Sequence, residues 1–261
     1  MMPDMRSVDS RTEWEGRRIV ITGSAHGIGE AVARRASSLG AKVAIADFDE
    51  AGAAALVAEL KETGAEALAV FTDVTDSSSI DVLFEKVIMV WGGVDTLVNC
   101  AGGFSRRMGF DEISDQEWQK VMQLNAFSTF ACCRAVLPQM RKARYGRIVN
   151  VSSEAGRMPI ALSAAHYAAA KAAILGLTRH LAREVAADGV CVNAVAPGTT
   201  LSDRVKQFTT EESAKGLIAI TPLGRLANLE DQVEPILFLA SDAAAYITGA
   251  TLDVNGGRFM M

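Results

Sequence analysis

The chain has 261 residues, 49% hydrophobic and 22% charged, with a net charge of −5, an ordinary globular composition with enough apolar material for a sizeable core. The acidic balance, with no Lys/Arg cluster beyond short pairs, argues against a nucleic-acid or anionic-membrane surface and for a small-molecule partner. No run reaches the ~18 apolar residues of a membrane span, and the polar N-terminus lacks the form of a signal peptide, so a cytoplasmic location is expected.

Residues 1–13 show no clear period and read as a flexible leader, with 14–261 as one α/β domain. Arg17 to Thr22 is a short β-branched run that ends at Gly23-Ser24-Ala25-His26-Gly27-Ile28-Gly29, and Glu30 to Leu39 follows with helical periodicity. In a strand, turn and helix of this kind, the glycines let backbone approach a ligand while the helix N-terminus offers free N–H groups to a pyrophosphate. Lys42 to Ala46 is a second strand, ended by Asp47 at 24 residues beyond Gly23. A carboxylate there can accept from the ribose 2′-hydroxyl of NAD and would repel the 2′-phosphate of NADP. The competing reading is a solvated acidic turn, since Asp49 and Glu50 follow.

Glu50 to Thr63 reads as a helix, Ala67 to Phe71 as a third strand closing on Asp73-Val74, and Ser77 to Trp91 as a serine-capped helix. Thr96 to Asn99 gives a fourth strand leading into Cys100-Ala101-Gly102. Regular alternation implies a Rossmann-type, doubly wound parallel sheet with helices on both faces, whose ligands bind beyond the carboxyl ends of the strands. Asp115 to Met140 reads as a long helical stretch in which Asn125 is an amide that needs partners if buried. Arg147 to Ser152 is a fifth strand, with Ser152 and Ser153 at its end.

Ser163 to Asp188 reads as one helix. It places Tyr167 and Lys171 four residues apart, on one face and about 5–6 Å apart at Cβ. A neighbouring ammonium favours a phenolate and makes a tyrosine a usable acid or base near neutral pH. Gly189 to Ala196 is a sixth strand ending at Pro197-Gly198. Residues 199–220, with Phe208 and Leu217, then read as a substrate lid, Glu230 to Ser241 as the last helix and Ala250 to Val254 as the last strand. Gly103, Phe104, Glu154, Met158, Leu162 and Phe208 are candidate pocket residues. Cys100, Cys132, Cys133 and Cys191 lie in apolar surroundings without metal-ligand spacing and read as reduced core residues, and no metal site is expected.

With these pieces together, the chain resembles the short-chain dehydrogenase/reductase family from about Trp14 to the C-terminus. The matching features are TGSAHGIG at 22–29, Asp73-Val74, NCAG at 99–102, Asn125, Ser153, Tyr167-x-x-x-Lys171 and Pro197-Gly198. The resemblance implies that Tyr167 exchanges the substrate proton, Ser153 hydrogen-bonds the substrate oxygen, Lys171 lowers the tyrosine pKa and holds the nicotinamide ribose, and Asn125 supports a proton relay through water. Ser152 is the rival to Ser153, and the 14-residue separation from Ser153 to Tyr167 is one longer than in many members. Gly23, Ser24, His26, Gly27, Ile28, Gly29, Asp47, Asp73, Val74, Asn99, Ala101, Gly102, Tyr167, Lys171, Pro197, Gly198, Thr200 and Ser202 are the implied cofactor residues. Thr199 competes with Thr200 and Ser202 for the nicotinamide carboxamide. Cys100, Ser202 and Asn255 depart from the residues usual in the family's motifs.

The expected activity is NAD(H)-dependent hydride transfer between the nicotinamide and a secondary alcohol or ketone. Alternatives are an NADPH-dependent 3-oxoacyl-thioester reductase and, more remotely, a non-catalytic dinucleotide-binding regulator. The helix around Tyr167 is alanine-rich around most of its circumference, which points to burial against a second subunit. The resemblance makes that assembly a homotetramer.

Overall fold

The computed structural model describes residues 13–104, 107–160 and 163–261, and the side chains of Arg204, Gln207 and Phe208 also lie outside the described set. Most of the expected leader and the candidate pocket residue Leu162 therefore fall outside the described residues.

Seven parallel strands form one sheet: β1 Arg18–Thr22, β2 Lys42–Asp47, β3 Ala67–Phe71, β4 Thr96–Asn99, β5 Gly146–Val151, β6 Val190–Pro197 and β7 Thr251–Val254, in the spatial order β3-β2-β1-β4-β5-β6-β7. Because side chains alternate across a strand, Ile19 and Ile21 of β1 enter one core while Val20 enters the other. All three are fully buried, which is why such a strand reads as an unbroken apolar run. Helices α1 Gly27–Ser38 and α2 Glu50–Glu62 cover the first face, joined by the last helix, Glu230–Ala240. The second face is covered by α3 Ser77–Trp91, by the helix Ser128–Ala143 and by the helix Ala165–Val185. Burying a Val, Leu or Ile side chain on either face contributes about 1.5–3 kcal/mol. The chain order reverses between β1 and β4, so a crevice opens there at the carboxyl edge.

The long helical stretch is three pieces: α4 Asp115–Met122, a π-helical turn Gln123–Phe127, and α5 Ser128–Ala143. Helix α6 spans Ala165–Val185, and a 3₁₀ turn continues it through Ala186–Asp188. The stretch expected as a lid folds as two short helices, α7 Asp203–Phe208 and α8 Glu211–Ala219, before α9 Glu230–Ala240. Ser202 and Thr210 start those two helices by accepting the Val205 and Ser213 backbone N–H groups. The cysteine reading needs one correction: Cys132 and Cys133 are buried free thiols, whereas Cys100 and Cys191 are partly exposed. No helix among the described residues is long and apolar enough to cross a membrane.

Candidate active site

After β1 the backbone turns at Gly23, whose φ is 64° and whose N–H donates to the Ala46 carbonyl at 2.8 Å. A Cβ at Gly23 would come 2.7 Å from the Ala101 Cα, and one at Gly29 would overlap the Gly23 carbonyl. Gly23 is thus required by the close approach of the β4 loop, and Gly29 by the folding of the turn back on itself. Helix α1 begins behind them with His26 at its N-cap and no side-chain cap bond, and a helix start without such a cap can offer N–H groups to an anion. Asp47 stands at the rim, its carboxylate accepting from the Ala25 and Asp49 N–H groups, each at 2.9 Å. His26 is turned to Asp49, at 2.7 Å, and Ile28 packs on the core.

Several expected cofactor side chains have internal work instead. The Ser24 hydroxyl is fully buried, donating to the Ile21 carbonyl at 2.7 Å and accepting from Ala46 N–H at 3.2 Å. Asp73 accepts from the Thr75 N–H and hydroxyl at 2.8 and 2.7 Å, shaping the entry to α3, and Val74 is buried. The Asn99 amide lies inside the sheet, donating to Asn150 Oδ1 at 2.8 Å, and Asn150 in turn donates to the Thr178 hydroxyl at 2.9 Å. Beyond Asn99, Ala101 lies against Gly23 and Gly102 beside Asn125 and Lys171. The buried Thr200 hydroxyl donates to the Gly198 carbonyl and accepts from Gln232. Gly198 lies against Asn255, where a Cβ would meet the Asn255 Cα at 2.8 Å. Ser202 faces the glycine turn, its Cβ 3.8 Å from a Cβ built at Gly27.

The fully buried Asn125 sits in the π-helical turn. Its amide donates to the Val121 and Gly103 carbonyls at 2.8 and 2.9 Å, and its Oδ1 accepts from Gly103 N–H at 2.9 Å. A side-chain donor reaching back into the helix at Val121 competes with the regular ladder there, and π-helical turns mark such disruptions. The side chain is therefore a clamp on Gly103, with its amide committed to backbone. A Cβ on Gly102 would meet Asn125 Oδ1 at 2.6 Å and Lys171 Nζ at 3.1 Å, so that glycine lets the β4 loop lie close to both.

Helix α6 brings Tyr167 and Lys171 together, with the ammonium 5.6 Å from the centre of the phenol ring. Lys171 is buried and donates to the Val151 carbonyl at 2.9 Å, and burial pulls its pKa down to about 8. Tyr167 is half-buried, and Phe104 packs on its ring with centroids 4.6 Å apart. The two serines differ. Ser152 donates its hydroxyl to the Lys171 carbonyl at 2.8 Å, whereas Ser153 accepts from Ala155 N–H at 3.1 Å and keeps a proton to donate. Glu154, a candidate pocket residue, is sealed instead: Arg258 donates to it at 2.8 Å and burial raises its pKa. Nothing in local spacing pointed to Arg258.

A glycine cradle at a helix N-terminus, a rim carboxylate and a Tyr-Lys pair on the same sheet edge define a dinucleotide-dependent oxidoreductase site. The comparisons with known proteins agree: the family model described as enoyl-(acyl carrier protein) reductase matches residues 23–258. The chain belongs to the short-chain dehydrogenase/reductase family. It is 40% identical over 248 residues to the 3-oxoacyl-[acyl-carrier-protein] reductase FabG of Escherichia coli (strain K12), covering 95% of this chain and 99% of that one. It is 41% identical over 247 residues to the FabG of Vibrio cholerae serotype O1, with the same two coverages of 95% and 99%. The crystal structure of gox2181 superimposes with a TM-score of 0.91 at 33% identity, covering 95% of this chain and 98% of that one. The protein is an oxidoreductase acting on CH–OH or ketone groups.

Proposed function

We propose that the protein moves hydride between NAD(H) and a secondary alcohol or ketone, with Tyr167 as general acid and base. The observation that carries this reading is the half-buried Tyr167 beside the sealed Lys171 ammonium, on the sheet edge that also holds the glycine cradle. A bound nicotinamide supplies or accepts the hydride. The chain's own residues handle the proton and the charge. In ketone reduction Tyr167 gives its phenol proton to the carbonyl oxygen, and in alcohol oxidation it takes the hydroxyl proton. Lys171 favours the phenolate left after donation. Ser153 donates to the substrate oxygen where charge accumulates, a contact of the kind worth about 3 kcal/mol. Asn125 holds Gly103, and with it the backbone of the β4 loop, against Lys171. Phe104 packs at a tilt on the Tyr167 ring, next to the phenol that a substrate must reach.

Asp47 supports NAD over NADP. Its carboxylate is fixed by two backbone amides, with Asp49 beside it, so a 2′-phosphate would meet two negative charges. The 3-oxoacyl-thioester reading is favoured by one observation, the activity named for the relatives at 40% and 41% identity. Both readings reduce a ketone, and they differ in cofactor and carrier. A homotetramer is supported by α6, which leaves Ala172, Ala173 and Gly176 exposed, and by exposed Trp118 on α4 and Phe130 on α5.

The test is a panel of ketones, diols, sugars and acetoacetyl-coenzyme A assayed with NADH or NADPH, for the parent and for Asp47→Ala. The parent should prefer NADH, and Asp47→Ala should narrow that preference about tenfold, on the order of one lost charge-assisted hydrogen bond. A parent that prefers NADPH, or an unchanged preference in Asp47→Ala, would refute the Asp47 assignment.

A further inference from the structure

Ser153 is aimed by a very short turn, the 3₁₀ segment Glu154–Gly156, whose Ala155 N–H it caps and whose Gly156 N–H its own carbonyl accepts. Two contacts fix that turn. On one side Gly156 lies on α6, where a Cβ would come 2.7 Å from the Lys171 carbonyl carbon. On the other, the Glu154 carboxylate reaches Arg258, 104 residues further along the chain. The Arg258 and Glu154 side chains are only 5% and 1% exposed, so this is an ion pair removed from water. The same Arg258 nitrogen donates to the Thr199 hydroxyl at 3.1 Å, directly after the Pro197-Gly198 corner. A second pair, Arg157 with Asp253 at 2.7 Å, and the Arg157 guanidinium 4.9 Å from the Phe259 ring centre join the same turn to the C-terminal segment.

A buried charge whose partner is removed must be neutralised or must move toward water. Arg258 meets Glu154 Oε1, while Oε2 has no hydrogen-bond partner among the described residues, so loss of Arg258 would take away the cation paired with the carboxylate and leave it the Thr199 hydroxyl. Because Glu154 directly follows Ser153, such a movement would be transmitted through one peptide unit to the Ser153 hydroxyl.

We propose that Arg258, acting through Glu154, is a positioning residue for Ser153, so that docking of the C-terminal segment sets the aim of the substrate-binding hydroxyl. This inference rests on the proposed role of Ser153. Its mechanical part, the hold on the 154–156 turn, is read separately from turnover.

The experiment compares the full-length parent with Arg258→Met, Arg258→Lys and the double variant Glu154→Gln/Arg258→Met. It measures kcat and KM with the best ketone from the panel, NADH binding by fluorescence, and amide hydrogen exchange. Arg258→Met should lower kcat about 30- to 100-fold, the scale expected when a positioned group is displaced by about an ångström, with NADH affinity held within about twofold. Its Ala155 and Gly156 amides should exchange at least about tenfold faster. Arg258→Lys keeps the cation and the double variant removes the stranded charge, so both should return kcat to within about fivefold of the parent. An unchanged kcat in Arg258→Met, even with a lowered melting temperature, overturns the inference and reduces the pair to a structural staple. Unchanged exchange at 155 and 156, or a double variant as slow as Arg258→Met, overturns it too. A parent that turns over none of the ketones refutes the proposed reaction, and in that case the exchange rates still decide whether Arg258 holds the turn.

Discussion

The two halves of the crevice are built differently. On the β1–β2 side the ligand surface is backbone: a glycine turn, an uncapped helix start and one carboxylate pinned by two amides. On the β5–β6 side it is side chain on side chain, with Glu154, next to Ser153, held by Arg258, and Tyr167 in contact with Lys171 and Phe104. The first half depends on space and fails when an atom is added. The second depends on charges taken out of water and fails when a partner is removed.

Gly29→Ala tests the first half most severely. Its Cβ would overlap the Gly23 carbonyl, so the turn must open or the helix must shift. NADH binding should weaken by about 100-fold or more, measured by fluorescence titration. Near-parent affinity would show that the cradle is not built on that close approach.

A smaller effect should separate the halves by pH. Burial sets the Lys171 pKa at about 8. The ammonium is charged below that value and discharged above it, so ketone reduction should fall several-fold as pH rises through the same range. Stability should move the opposite way. Below about pH 8 folded and unfolded states both carry the proton and burial costs in full. Above it the folded state sheds the proton while the unfolded lysine keeps it up to its ordinary range, so that cost is progressively relieved. Turnover that stays flat to about pH 9.5 would remove Lys171 as the supporting cation.

The same contrast explains what the sequence made legible. β3, α3 and β4 follow the expected bounds because turn residues frame apolar runs locally, although the cap of α3 is Asp76, which accepts from Ser78 N–H, rather than the expected serine. The Tyr167–Lys171 pairing was readable because helical spacing alone brings the two side chains to one face. The π-helical turn was not, since it depends on where the Asn125 amide finds a carbonyl. Nor were α7 and α8, whose caps Ser202 and Thr210 lack a strong apolar period behind them. Asn99 and Thr200 were placed among cofactor residues by motif, but whether a polar side chain at a strand end turns toward the crevice or into the sheet is decided by neighbours such as Asn150 and Gln232. The Glu154–Arg258 pair joins positions that no local pattern relates.

The central claim is that the phenol of Tyr167 exchanges the substrate proton. Tyr167→Phe removes that one oxygen and leaves the Lys171 contact to the Val151 carbonyl and the glycine cradle in place. Turnover of the best ketone should fall about a thousandfold or more, within the range for loss of a general acid, while NADH affinity stays within about threefold. A Tyr167→Phe enzyme that binds NADH normally and still turns over near the parent rate would contradict it.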